Sequence, residues 1–188
     1  TDCVNAQTFT LSVATEISGI AMEFGATTGT PSGQVTFRIE TTTGTVESAL
    51  ATGTLAHANA TKAITPTASA WNDAIFATPF ILAAGVYAIV PSISVQATNT
   101  FWTLKHNTLT NPYTDGNRIY STNNGSTWTA VSSQDEAFKV YTRVLQCYSE
   151  TTIKQQGSYS LKCIAAIAAT LTDTLIRTLA TSLDLRKQ

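Results

Sequence analysis

From Asn117 to Arg143 the chain reads NRIYSTNNGSTWTAVSSQDEAFKVYTR, and no other segment restricts the fold so tightly. Asn123-Asn124-Gly125 lies between Tyr120 and Trp128. An Asn-Gly pair set between alternating apolar residues signals a hairpin, because a tight turn needs positive φ and these two residues tolerate it. Trp128 is expected to pack across that hairpin against Tyr120. Phe138, Val140 and Tyr141 then supply a closing strand. A chain that spends its length on turns, threonines and alternating apolar residues builds a sandwich.

The same alternation recurs upstream. Gln7 to Val13 (QTFTLSV) alternates apolar and hydroxyl residues, and Ile17 to Phe24 repeats the pattern with Ile20, Met22 and Phe24 on one side. Thr27 to Gly33 is a loop dense in Gly, Pro and hydroxyls. Val35, Phe37 and Ile39 line one face of a strand, with Thr36, Arg38 and Glu40 on the other. Small residues between Glu47 and Ala58 predict an edge strand or an irregular crossing. Trp71 to Phe80 is a further strand, placed at an edge or ending there by Pro79. Val86 to Ile93 is strongly apolar and interrupted by Pro91, and Thr100 to His106 alternates again. About eight or nine short strands at this spacing predict an all-β fold, an antiparallel β-sandwich or jelly roll.

Composition agrees and removes several function classes. Hydrophobic residues make up 43% of the 188 residues, which permits a sizeable core, while charged residues are only 12%. Thirty-five threonines supply the missing polarity, and Thr suits half-buried strands. With a net charge of -1 there is no basic patch, so nucleic acid is not an expected partner. No apolar run is long enough to span a bilayer, so membrane insertion is not expected either. The chain begins Thr1-Asp2, as a processed form or a piece of a longer product would. An uncharged, hydroxyl-rich surface points to an extracellular setting.

Domain organisation is expected to change near Cys147, with a β-sandwich over residues 1–146 and a C-terminal β-rich extension over 147–188. Alternate positions from Leu161 through Cys163 and Ile167 to Leu171 are apolar, a strand period. Ile164, Ile167, Ala168, Leu171, Leu175 and Leu179 also fit a helical stripe, but Thr at 170, 172, 174 and 178 favours strands. Residues 1–144 hold six Lys+Arg and nine Asp+Glu (-3), whereas 145–188 hold five and three (+2). Exposed apolar strands invite association, so Leu161, Cys163, Ile167, Leu171, Leu175 and Leu179 are the expected assembly residues. For Cys3, Cys147 and Cys163, one disulfide plus a free thiol and three reduced core cysteines both fit the count. No C-x-x-C pair or zinc-type spacing is present.

AQTFTLSV, GQVTFRIET, LATGTLA, FATPFILAAGVYAIV and the closing NPYTDGNRIYSTNNGSTWTAVSSQDEAFKVY together resemble the non-catalytic, carbohydrate-binding-like jelly-roll modules of phage virion proteins and of large secreted or surface proteins. The resemblance covers about 70% of the chain, Gln7 to Arg143. SETTIKQQGSYSLKC resembles the opening of a second such sandwich, and about 40 residues are too few to close a core alone. The resemblance implies a fold more than a function, because one fold hosts many functions. It also implies a structural calcium, for which Asp115, Asp135 and Glu136 are the candidate ligands. The competing reading of Asp115-Gly116 is a plain turn. No other cofactor is expected.

Exposed aromatics suit a sugar platform, since a flat ring covers the apolar face of a pyranose. Trp71, Trp102, Tyr113, Tyr120 and Trp128 are the candidates, with Trp71 and Tyr113 the expected exposed members and Trp102 a core residue. His57 and His106 lie far apart, no G-x-S-x-G elbow is present, and no carboxylate pair has catalytic spacing, so no enzyme activity is expected. Asn59-Ala60-Thr61 and Asn124-Gly125-Ser126 match the N-glycosylation pattern. These readings give a non-enzymatic structural or adhesive module of an extracellular assembly, a phage particle or surface filament. Its expected partners are copies of itself or neighbouring structural proteins. The alternative is a carbohydrate-binding module that anchors a larger secreted protein to glycans.

Overall fold

The computed structural model describes residues 4–93, 100–107, 113–132 and 134–143, and the alternating segments of that range are strands. In chain order they are β1 (Val4–Leu11), β2 (Thr15–Glu23), β3 (Val35–Thr43), β4 (Leu50–Leu55), β5 (Thr61–Ile64) and β6 (Trp71–Leu82). There follow β7 (Gly85–Ile93), β8 (His106–Asn107), β9 (Arg118–Ser121), β10 (Thr129–Val131), β11 (Asp135–Glu136) and β12 (Phe138–Arg143). One short 3-10 turn, Val46–Ser48, precedes β4. The chain divides into two units, Thr1–Val144 and Leu145–Gln188, and the described residues all belong to the first. Cys3, Cys147, Cys163 and the expected assembly residues lie outside the described range.

The fold is an all-β antiparallel sandwich. A seven-stranded sheet runs β10-β9-β1-β7-β3-β4, with β5 also paired to β3. A three-stranded sheet, β12-β2-β6, faces it, and β11 and β8 form a two-stranded ribbon. Phe9, Val35, Phe37, Ile39 and Ile89 from the large sheet meet Ile17, Ile20, Met22, Phe76, Phe80 and Leu82 from the small one. Residues spaced by two point to one face of a strand, which is why this core was visible in the alternation. In β2 a register shift between Ile17 and Gly19 changes the phase, so Ile17 and Ile20 both face inward although three positions apart. Pro79 sits in β6, an edge strand, as its missing N–H requires.

The large sheet is covered on its other face too. Ala6, Ala88 and Val90 from its middle pack with Ala51 of β4 and Ile119 of β9, which lie towards opposite ends of the strand order. The sheet therefore curls. Small side chains at Ala6, Ala51 and Ala88 let its flanks approach, and Trp128, Leu50 and Val4 complete the second cluster.

Two expectations are corrected. Trp128 does not pack on Tyr120. The register pairs Thr129 with Tyr120, so Trp128 falls on the opposite face, with Ile119 and Ala130, and joins the second cluster. Tyr120 lies instead beneath the guanidinium of Arg118, 5.9 Å from the ring centroid. The stretch from Thr100 to Lys105 is not a regular strand. It is held by isolated bridges, Thr28 to Phe101 and Phe24 to Leu104, with Trp102 packed 5.9 Å from Phe24. At the hairpin itself, Asn124 (φ 55°) and Gly125 (φ 80°) take the left-handed conformations expected of the pair.

Candidate functional site

The curl of the large sheet leaves a cleft on its outer face. Its floor comes from Val4 of β1 and Val90 and Ser92 of β7. One wall is Arg38 and Glu40 of β3 with Gly53 of β4, and the other is Asn124, Gly125 and Trp128 of the β9–β10 hairpin. The volume is about 130 Å³. Alternation places Arg38 and Glu40 on one face of β3, and their side chains pair, Arg38 Nε to Glu40 Oε1 at 3.3 Å. Gly53 clamps both: its carbonyl accepts from Arg38 Nη2 at 2.8 Å, and its N–H donates to Glu40 Oε2 at 2.8 Å. The Glu40 side chain is 3% exposed and that of Arg38 32%, so the acid is buried beneath a base that reaches the cleft. The indole N–H of Trp128 is buried without a hydrogen-bond partner among the described residues.

A second polar group lies within the fold, where β1, β9 and β11 meet. Gln7 is fully buried; it donates to Asp135 Oδ1 at 2.8 Å and accepts from the N–H of Glu136 at 2.7 Å. The N–H of Tyr113 donates to Asp135 Oδ2 at 3.1 Å. Arg118 reaches three acceptors: Glu136 Oε1 at 2.9 Å, Gln134 Oε1 at 2.6 Å and Asn5 Oδ1 at 2.8 Å. Burial raises the Glu136 carboxyl to about 7, opposed by Arg118 and assisted by the neighbouring Asp135 charge. Burial also raises Asp135, against the bonds from Gln7 and Tyr113. The donors and acceptors here come from β1, β9, β11 and the segments of Tyr113 and Gln134, so the group works as a clamp between elements. Buried polar networks of this kind fix registry.

The residues singled out from sequence are dispersed. Trp71 is 38% exposed at the start of β6, with Lys139 Nζ 3.9 Å above its ring. Tyr113 packs edge-on against Phe138 at the core, and its hydroxyl accepts from the N–H of Thr10. Burial raises its phenol above the ordinary value. Asp115 is exposed in a turn and its carbonyl accepts the Thr10 hydroxyl, whereas Asp135 and Glu136 are buried in the clamp. Among the described residues no three His, Cys, Asp or Glu side chains come together as a metal site. His57 stacks on Phe80 at 4.7 Å, and its Nδ1 accepts from the N–H of Asn59. His106 is exposed and opposite Glu136 in the β8–β11 ribbon.

Sequence reasoning missed the cleft. The alternation places Arg38 and Glu40 on the face of β3 opposite Val35, Phe37 and Ile39, and only the curl sets a wall across from them. No helix among the described residues is long and apolar enough to cross a membrane. No protein-family model matches the chain, and neither a curated protein nor a solved structure matches it.

Proposed function

We propose that this chain is a non-enzymatic structural or adhesive module of an extracellular assembly, such as a phage particle or a surface filament, and that it associates with copies of itself through residues 148–188. The observation that carries this reading is the outward side of the small sheet. There Trp71, Ile75 and Ile81 are 38%, 52% and 37% exposed along one twelve-residue strand, β6, which among the described residues pairs only with β2. A long edge with apolar side chains on its open face favours association. The apolar pattern of Leu161, Cys163, Ile167, Leu171, Leu175 and Leu179 supports a tail that pairs with a neighbouring chain. Sedimentation of the whole chain and of one ending at Cys147 tests it. The whole chain should associate as concentration rises and the shortened one should not. A whole chain that stays monomeric throughout sinks the reading.

A second reading, glycan anchoring, is favoured by one observation, the cleft with Trp128 and Arg38 on facing walls. Binding to a glycan array that is lost when Trp128 is replaced by Ala supports it. A blank array argues for the assembly role alone.

A further inference from the structure

The way Arg38 is held decides what the cleft can recognise. Its Nε faces Glu40 Oε1 and its Nη2 donates to the Gly53 carbonyl. Both lie along one edge of the planar fork, so the terminal edge, Nη1 with the second hydrogen of Nη2, keeps its donors. Among the described residues nothing accepts from Nη1. Glu40 offers an incoming hydroxyl little, because burial and not a lack of lone pairs keeps its oxygens from the cleft. Oε1 meets Arg38, Oε2 accepts the Gly53 N–H, and the side chain is 3% exposed. Glu40 is the sole carboxylate among the residues lining the cleft, where Ser92 and Asn124 add a hydroxyl and an amide.

Ser92 and Asn124 can each donate or accept, so the one open charged group of the cleft is the terminal edge of the Arg38 fork, a donor alone. Neutral sugar hydroxyls need donors and acceptors, because each hydroxyl brings a proton to be placed. A carboxylate needs donors alone and takes the end of an arginine fork through two oxygens. Size adds a limit. The cleft is about 130 Å³, near the roughly 150 Å³ of a cavity that takes one benzene, so it holds the carboxylate side of a sugar residue and leaves the rest outside. Trp128 supplies an aromatic wall for the ring of that residue.

The geometry points to a uronic-acid residue of an anionic polysaccharide as the ligand of this cleft, its ring against Trp128 and its carboxylate on the terminal edge of Arg38. The inference rests on the glycan-anchoring reading and names its ligand class. The ion pair beneath keeps the cleft from being strongly cationic, so recognition depends on fork geometry more than on net charge.

The test is calorimetric titration of the full-length chain with polygalacturonate and, separately, with neutral galactan. Polygalacturonate should bind, more weakly as salt is raised, and galactan should not. The double substitution Arg38→Gln with Glu40→Gln removes the fork without leaving a buried charge unpaired. It should weaken polygalacturonate roughly tenfold or more. Should that variant fail to fold, Gly53→Asn replaces it. A Cβ at Gly53 meets nothing within 4 Å, and Asn tolerates its φ of +77°. The added side chain narrows the cleft and should cause the same loss. Equal binding of both polymers overturns the carboxylate inference and leaves glycan anchoring standing. Binding to neither overturns the carboxylate inference, and a blank glycan array then overturns glycan anchoring as well. Undiminished polygalacturonate binding in the folded variant overturns the assignment to this cleft.

Discussion

Arg118 Nε lies 2.9 Å from Glu136 Oε1, and the glutamate side chain has no solvent exposure while that of arginine has 18%. The second oxygen, Glu136 Oε2, has no hydrogen-bond partner among the described residues. A buried carboxylate bonded through one oxygen alone is only half compensated, so its proton is held more tightly than in water. Arg118 also reaches Asn5 and Gln134, so this one side chain ties β9 to β1 and to the segment entering β11.

Stability should therefore fall as pH rises through neutrality. Glu136 is raised from 4.5 to about 7, so between those values the folded chain holds a proton that the unfolded chain has released. Its contribution is full below the unfolded value and is lost as pH passes through about 7. Asp135, raised by burial, acts in the same direction. The shift at Glu136 corresponds to a term on the order of 3 kcal/mol. Thermal unfolding followed by circular dichroism should give a higher Tm at pH 5 than at pH 8, and Glu136→Gln should flatten that dependence. A Tm that climbs from pH 5 to pH 8 contradicts it.

Arg118→Met leaves Glu136 buried with no counter-charge. Removing one member of a buried pair costs about 3–5 kcal/mol. The loss should be largest at pH 8 and smaller at pH 5, where Glu136 takes up a proton. Urea denaturation at the two pH values measures the difference, and equal losses would show that the charge is not the cause.

Two apolar residues of similar sequence character should behave oppositely. Phe37 is fully buried between the layers, and Phe37→Ala should cost roughly 3–5 kcal/mol. Ile75 is 52% exposed on β6, and Ile75→Lys should change stability by under about 1 kcal/mol. The same change should weaken association of the whole chain in sedimentation, which Phe37→Ala reports only through unfolding.

Gly125→Val places a β-branched side chain at a φ of 80°. Left-handed backbone costs such a residue about 1–2 kcal/mol. The melting temperature should drop accordingly, and cleft binding should weaken with it, because Gly125 lies 3.5 Å from Trp128 when given a Cβ. A variant with unchanged Tm removes the conformational argument for the turn.

Strands whose two faces differ in polarity were legible from the residues alone. The inward row Val35, Phe37, Ile39 is fully buried, and the edge position of Pro79 follows from its missing donor. What stayed hidden depends on phase and curvature. Ala6 and Ala88 carry no periodic signal, yet their small size allows the second cluster. Trp128 sits one residue before the first rung of β10, and one residue is enough to send it to the other face. Arg118 and Glu136 are eighteen positions apart on strands of four and two residues, so no local pattern announces their pairing. Arg38 and Glu40 were legible as sharing one face of β3, but the hairpin wall across from them depends on how the sheet bends.

Because β1 is flanked by β7 and β9 while β12, among the described residues, is bonded to β2 alone, the two ends of this unit are anchored unequally. Tension drawn along the chain would meet two rows of backbone bonds at its leading end and a single row at its trailing end. Under load the trailing strand should peel first.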